Sequence, residues 1–351
     1  MSEEPPKPTN TRRGRHKLTL DEHYEGVLAR DIAVLARTLT LMESSNPDHQ
    51  VRAEELLTRL MPHTGNSVRV GITGAPGVGK STFIESFGMH LVEQGHRVAV
   101  LAVDPSSGVS GGSILGDKTR MTKLSASGEA YIRPAPSAGT LGGVAARTRE
   151  SMLVCEAAGF DVVLVETVGV GQSETMVADM TDCFLALMLP GAGDELQGIK
   201  RGLLELVDVI AVNKADGEMQ AAARRAAHQY DVALKSISGR AHGDDVPEVL
   251  TCSALEGNGI AEVWDAVVRR HRALQGSGRL AERRGRQNLR WLWNLVDQHL
   301  ELTIRDHPAL SGLREQLEES VVEGTQPPEA AARQIIDALG LRFPRVTPKA
   351  P

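Results

Sequence analysis

Gly74-Ala75-Pro76-Gly77-Val78-Gly79-Lys80-Ser81 fits the spacing G-x-x-x-x-G-K-[ST] in full. A loop of this kind holds a polyphosphate. Its glycines let consecutive backbone N–H groups turn inward around an anion, along a path a Cβ would block. A helix starting directly after the loop adds the positive end of its dipole. Lys80 then neutralises the outer phosphates as a point charge, the Ser81 hydroxyl is a ligand for Mg2+, and Thr82 is placed to bond an inner phosphate. The alternative is a glycine-rich turn with no ligand. Against it stand an apolar strand pattern entering the loop and a helical pattern leaving it.

Asn213-Lys214-Ala215-Asp216 follows a second apolar run and reads N-K-x-D. A carboxylate at position 216 accepts from the ring N–H and the exocyclic amine of guanine. Adenine has neither donor on that edge, and an unpaired charge in a closed pocket costs several kcal/mol. Lys214 can lie over the base and Asn213 can hold neighbouring loops. Ser253-Ala254-Leu255, after the next apolar run, offers backbone N–H groups for the guanine carbonyl. These residues predict GTP and GDP as ligands, with an adenine nucleotide as the competing reading.

The metal candidates are Ser81, Asp104, Asp117 and Glu166. Asp104 ends an apolar run and can reach a Mg2+ shell through a water, or simply cap the turn before Pro105. Asp117 and Thr119 lie in a glycine-bearing stretch whose ordering by nucleotide is expected. Glu166-Thr167-Val168-Gly169 stands where many GTPases carry D-x-x-G. There the Gly169 N–H can sense a γ-phosphate, but Val170 cannot orient a water. Slow intrinsic hydrolysis is therefore expected, unless another group helps. Gln172, and Asp194, Gln197 and Lys200 on the next glycine-bearing stretch, are the candidates. The catalytic set is thus Lys80, Glu166, Gly169, Gln197 and Lys200.

These residues need a scaffold. Seven short runs rich in Val, Ile and Leu begin at Val68, Arg97, Ala130, Asp161, Asp182, Asp208 and Glu248. Most are apolar throughout, as expected of strands covered on both faces. Helical stretches separate most of them, which predicts an α/β fold: a P-loop NTPase with a doubly wound, mostly parallel sheet and its ligand at the carboxyl ends of the strands. One helical stripe is expected from Leu18 to Glu43 and a second helix from Asp48 to Met61. After Gln275-Gly276-Ser277-Gly278, Leu289, Leu292, Trp293, Val296 and Leu300 form another stripe. The expected organisation is a disordered tail over 1–16, an N-terminal helical extension over 17–66, a G domain over 67–275 and a C-terminal helical extension over 276–351.

The net charge is −6 and hydrophobic residues make up 41% of 351, which excludes wholesale disorder and argues against a basic nucleic-acid binder. Three widely spaced cysteines without a C-x-x-C pair argue against a disulfide framework and a zinc site. There is no apolar leader and no membrane-length apolar run, so a cytoplasmic protein with no membrane partner is expected. Asp21-Glu22-His23-Tyr24-Glu25-Gly26 matches the cobalamin-ligating pattern D-x-H-x-x-G. It precedes a helix rather than following a strand, and reads as coincidence.

The chain resembles the MeaB/ArgK GTPases, the chaperones associated with methylmalonyl-CoA mutase. The resemblance is carried by GITGAPGVGKSTFIE from Gly71, VAVLAVDPSSGVSGGSILGDKTRM from Val98, APSAGTLGGVAARTRE from Ala135, GFDVVLVETVGVGQSE from Gly159, LPGAGDELQGIKRG from Leu189 and NKADG from Asn213. It implies a homodimer joined through the C-terminal extension, GTP hydrolysis with Mg2+, and gating of adenosylcobalamin delivery to a mutase that it also protects or reactivates. It also implies an additional switch loop at 191–200. Val109 departs from the polar or basic residue expected in its stretch. Two other readings compete. One is an ATP-dependent kinase or transport-associated ATPase, an older label in this family. The other is a nickel-insertion GTPase, which calls for a His- or Cys-rich tract that the sequence lacks.

Overall fold

A computed structural model of the chain describes residues 17–103, 121–134, 141–167, 173–190, 201–241, 246–305 and 307–341. The chain divides into two compact units, Met1–Arg284 and Gly285–Pro351.

The first unit opens with helices α1 (Leu20–Leu28), α2 (Ile32–Met42) and α3 (Pro47–Leu60). The single stripe expected over 18–43 is two helices. Asp31 takes an extended conformation and accepts from the Ala33 and Val34 N–H groups, so it starts a new helix. Gly26 lets the two helices meet at this corner, since a Cβ there would lie 2.5 Å from Val34 Cγ1. The break keeps the apolar phase: Val27, Leu35 and Leu39 are all fully buried. On α1 the His23 imidazole is buried and bonds Thr38 Oγ1 at 2.8 Å, which suits a packed core histidine.

The sheet comprises β1 (Val68–Gly74), β2 (Val98–Val103), β3 (Ala130–Arg133), β4 (Val162–Thr167), β5 (Cys183–Met188), β6 (Val209–Val212) and β7 (Glu248–Thr251). Its order is β3-β2-β4-β1-β5-β6-β7, and every pairing is parallel. The chain therefore reverses its direction of winding beside β1, and such a switch point opens a crevice at the carboxyl edge. Interleaved with the strands are α4 (Lys80–Glu93), α5 (Thr122–Ala126), α6 (Leu141–Ala157), α7 (Ser173–Ala178), α8 (Arg201–Leu204), α9 (Gln220–Ala241) and α10 (Ile260–Gly276).

One face of the sheet packs Val70, Ile72, Leu164 and Leu185 against Phe83, Ile84 and Phe87 of α4 and Val263, Trp264 and Val267 of α10. Three of the scarce aromatics meet here: Phe83 stacks on Phe87 at 5.1 Å, and Trp264 meets Phe87 edge-on at 6.0 Å. The other face receives α6 and α7, and α1, α2 and α3 pack on α6. Gly71 permits the approach of α7, because a Cβ there would lie 2.7 Å from Val177 Cγ1 and from Phe184 Cδ2.

At the amino end of the strands lies a buried ionic lattice. Glu156 on α6 accepts from Arg69 Nε at 2.7 Å and Nη2 at 2.9 Å, from Gly65 N–H at 2.9 Å and from the Ser67 hydroxyl. Asp182, just before β5, accepts from Arg69 N–H at 3.0 Å and from Arg284 Nε at 2.8 Å and Nη2 at 2.6 Å. Asp208, just before β6, accepts from Phe184 N–H at 2.9 Å, Arg270 Nε at 3.0 Å and Arg283 Nη2 at 3.1 Å.

Helix α11 (Arg279–Arg305) carries the chain into the second unit, which contains α12 (Leu313–Val322) and α13 (Pro328–Ala338). Helices α12 and α13 pack together, burying Leu317 and Ala331. Leu289, Leu292, Trp293 and Leu300 are exposed on α11.

Candidate nucleotide-binding site

Strand β1 ends at Gly74 and α4 begins at Lys80, so the glycine loop joins the central strand to a helix N-terminus. Gly74, Gly77 and Gly79 have φ of 154°, 81° and 94°. Gly74 is also sterically required: a Cβ there would lie 2.6 Å from the Leu187 carbonyl oxygen. Ala75, Pro76 and Gly77 are exposed, while Val78 is buried in the core beneath them. This anchors one residue of the loop and leaves its outer arc open.

Lys80 Nζ donates to Gly74 O at 2.7 Å and Ala75 O at 3.4 Å, folding the ammonium over the loop. Burial lowers its pKa, and the charges of Glu166 and Glu174 partly oppose that shift. Ser81 is half-buried in the first turn of α4, and Thr82 beside it is exposed. Glu166 is buried on β4 in register with Ile72. Next to it, the Thr167 hydroxyl donates to Thr73 Oγ1 at 2.9 Å, linking β4 to the residue before Gly74.

Asn213 is the brace of the site. Buried at the end of β6, it donates from Nδ2 to Val78 O at 2.9 Å and accepts at Oδ1 from Ala254 N–H at 3.0 Å. It therefore ties the phosphate loop to the loop after β7. Gly79 makes room, since a Cβ there would lie 3.0 Å from Asn213 Nδ2. Lys214, with φ of 58°, donates from Nζ to Gly77 O at 2.8 Å. Asp216 is half-buried, and its Oδ2 accepts from the Ser253 hydroxyl.

The sequence-derived residues Gly74 to Thr82, Glu166, Asn213, Lys214, Asp216 and Ser253 to Leu255 thus converge at the carboxyl edge of β1, β4, β6 and β7. Asp104, Asp117, Gly169, Gln197 and Lys200 lie outside the described residues, as do Thr119, Gln172 and Asp194. The tripeptide 253–255 differs from expectation in one respect. Ser253 N–H donates to Asn258 O at 2.8 Å and Ala254 N–H to Asn213, so two of its three amides already serve the loop itself. Among the described residues the Leu255 N–H has no partner, and the Leu255 side chain is 81% exposed. No motif pointed to the Thr73–Thr167 pair, the Ser253–Asp216 bond or Cys252. The Cys252 thiol lies 3.7 Å from Asn213 Oδ1, and burial pushes its pKa up to about 12. It is an inert packing group.

The available oxygen donors, a hydroxyl at Ser81 and a carboxylate at Glu166, suit a hard divalent cation. Among the described residues no group of three His, Cys, Asp or Glu side chains is placed to hold a metal unaided. A small cation that retains several waters and shares phosphate oxygens is compatible with so sparse a set.

An all-parallel sheet, a glycine loop running from its central strand into a helix, and an Asn-Lys-Ala-Asp brace two strands away define a P-loop NTPase. The family model described as methylmalonyl Co-A mutase-associated GTPase MeaB matches residues 35–309, and the chain belongs to that family of GTPases. A Caulobacter vibrioides protein named as a putative GTPase is 56% identical, over 92% of this chain and 99% of its own length. The mouse protein named methylmalonic aciduria type A homolog, mitochondrial, is 44% identical over 92% of this chain and 80% of its own. A crystal structure described as an LAO/AO transport system kinase aligns with a TM-score of 0.74 and 41% identity, covering 93% of this chain and 99% of that one.

Proposed function

We propose that the chain binds GTP and GDP with Mg2+, hydrolyses GTP slowly when alone, and acts as a chaperone that gates adenosylcobalamin delivery to methylmalonyl-CoA mutase and protects or reactivates it. The observation that carries the nucleotide reading is Asn213. One buried side chain locks the phosphate loop to the 253–255 loop, and Asp216, three residues on, is held by the Ser253 hydroxyl of that same loop. Gly74 to Thr82 hold the phosphates and Lys80 neutralises the outer ones. Ser81 and Glu166, with Asp104 and Asp117, hold the metal or its waters. Bound Mg2+ supplies charge neutralisation on the phosphates. Asp216 reads the guanine, Lys214 lies over it, and the amide at Leu255 receives its carbonyl. Gly169, Gln197 and Lys200 respond to the γ-phosphate.

The mutase reading is supported by the description of the family and by the name of the mouse relative. We assign the G domain to 67–275, flanked by helical extensions at 17–66 and 276–351. The exposed Leu289, Leu292, Trp293 and Leu300 on α11 suit a homodimer contact. Among the described residues no helix is long and apolar enough to cross a membrane, and the proposed setting is the cytoplasm.

The competing reading, an ATP-dependent kinase or transport-associated ATPase, is favoured by the description of the aligned crystal structure. Affinities for GTP and ATP, measured on the wild type and on Asp216→Ala, separate the two. A strong GTP preference that collapses in the variant is expected. An ATP preference that survives the substitution rejects the GTPase reading. Co-purification with a mutase, with and without a non-hydrolysable GTP analogue, tests the chaperone role. A Trp293→Glu variant that sediments as the wild type does would count against the dimer contact.

A further inference from the structure

Two hydroxyls lie fully buried at the carboxyl edge of the sheet, among apolar neighbours. Thr73 precedes Gly74 and Thr167 follows Glu166; they are 1% and 0% exposed. Their Oγ1 atoms are 2.9 Å apart, across 94 positions of sequence. Before Glu166, β4 reads Val-Val-Leu-Val, and all four residues are buried. Valine has the shape of threonine without the hydroxyl. Replacing both partners of a buried hydrogen bond by apolar groups of the same shape is close to neutral for stability. Stability alone therefore gives no reason for hydroxyls at these two positions.

Their place in the sheet does. The backbone ladder between β1 and β4 runs from Val68 beside Val162 to Ile72 beside Glu166. Past that point each strand pairs only with its other neighbour. Strand β1 continues with β5 as far as Gly74 beside Leu187, and β4 continues with β2 as far as Val103 beside Thr167. Thr73 and Thr167 are the next residues on the two strands, so their bond carries the β1–β4 register one step past its last backbone pair. Successive side chains on a strand point to opposite faces. Ile72 and Leu164 face α4 and α10. Glu166 shares that face, and its charge reaches Lys80. Thr73 and Thr167 lie on the other face. The pair thus sits behind the site, tying the residue before the phosphate loop to the residue after the carboxylate.

We propose that the Thr73–Thr167 bond is a positioning link for GTP hydrolysis, holding the Glu166 carboxylate at a fixed distance from the phosphate loop. This rests on the reading of Glu166 as a holder of the metal or its waters. Nucleotide binding draws on the loop amides and Lys80, which β1 and α4 supply without β4. The transition state has to be met from β1 and β4 together, and a misplacement of about 1 Å can cost about 10²-fold in rate. The link therefore acts on turnover and not on affinity.

The test is single-turnover GTP hydrolysis by the full chain with Mg2+, with GDP affinity and Tm measured alongside. Thr73→Val/Thr167→Val removes both hydroxyls at constant shape. Hydrolysis should slow about tenfold while GDP affinity stays within about threefold, and Tm should stay equal or rise. Thr167→Ser keeps the hydroxyl but loses a buried methyl. It should melt below the double valine variant and yet hydrolyse GTP about fivefold faster than it. Activity then runs opposite to stability, which a purely structural pair does not produce. Glu166→Gln should slow hydrolysis by itself, and adding the two valines to it should slow it no further, because the link acts through that carboxylate. Wild-type hydrolysis in the double valine variant, with Glu166→Gln slow, overturns the link alone. Wild-type hydrolysis in Glu166→Gln overturns the reading of Glu166 and the link with it. The proposal is also wrong if the valines slow Glu166→Gln further, if they weaken GDP binding, or if activity falls only in step with Tm.

Discussion

The two ends of the same sheet use charge in opposite ways. At the amino end, buried carboxylates meet cations directly: Glu156 holds the buried Arg69, Asp182 the half-buried Arg284, and Asp208 the half-buried Arg270 and Arg283. At the carboxyl end, Lys80 is held by two carbonyls and Asn213 by a carbonyl and an amide. The nearby acids, Glu166 and Glu174, influence Lys80 through their charge. A lattice of paired ions is locked, because removing one member strands the other in a low-dielectric interior. Neutral contacts instead fix where a cation sits without neutralising it. The amino end holds the strands in register, and the carboxyl end keeps its positive charge available for phosphates.

The largest effect is expected from breaking the lattice. Glu156→Ala leaves Arg69 buried without its partner, in a pair whose side chains are 1% and 5% exposed. It should cost about 3–5 kcal/mol of stability, read from urea unfolding, with GDP affinity unchanged wherever the variant is folded. A loss below about 1 kcal/mol, the level of a surface ion pair, would erase the distinction between the two ends. Lys80→Ala is the counterpart. Hydrolysis should fall by about 10²–10³-fold in single turnover, while the urea midpoint holds or rises slightly, since burial already disfavours the ammonium. Unfolding of this variant would show that Lys80 serves the fold instead.

The same contrast explains what the sequence revealed. The phosphate loop was legible because its demands are local: glycines where φ is positive, a strand before and a helix after. The inner strands β2, β4, β5 and β6 were legible because both faces are covered and their runs are apolar almost throughout, whereas the edge strands β3 and β7 are less buried and less apolar. The lattice was not. Arg69 and Glu156 are 87 positions apart, Asp182 and Arg284 are 102 apart, and no spacing rule joins them. The break between α1 and α2 was hidden because Val27 and Leu35 stay in phase across it, so the periodicity carries no trace of the corner. At the site itself, Asn213 and Asp216 were legible as a motif. The Ser253 hydroxyl on Asp216 was not, because it depends on how two loops meet.

Glu150 sharpens the comparison from a third position. It lies on α6, as Glu156 does, but burial pushes its pKa up to about 7, with Glu54 adding to the rise and Arg147 opposing it. The folded pKa is above the unfolded one. Between about 4.5 and 7 the folded chain therefore keeps a proton that the unfolded chain gives up, and stability falls as pH rises through that window. Glu150→Gln removes this penalty. It should stabilise the protein by up to about 3 kcal/mol at pH 8 and by little near pH 4.5. An equal effect at both pH values would show that charge is not the cause.

The smallest effect concerns Lys80 in the pH dependence of nucleotide affinity. Burial holds its pKa below the usual lysine value in the free protein. A bound triphosphate surrounds the ammonium with negative charge and raises that pKa, so binding takes up a proton wherever the free form has lost it. Affinity should be flat from pH 6 until the free-form pKa is reached. It should then fall by no more than about tenfold per pH unit, the limit for one linked proton. Titration of a fluorescent non-hydrolysable GTP analogue between pH 7 and 10.5, on the wild type and on Lys80→Arg, reads this by difference, because loss of the guanine ring N–H affects both alike while arginine stays charged. The comparison with the amino end is the control: its arginines stay charged throughout this range, so protein stability should not follow the affinity curve. If the two decline together, the loss of binding comes from unfolding, and the available charge at Lys80 is not what grips the phosphates.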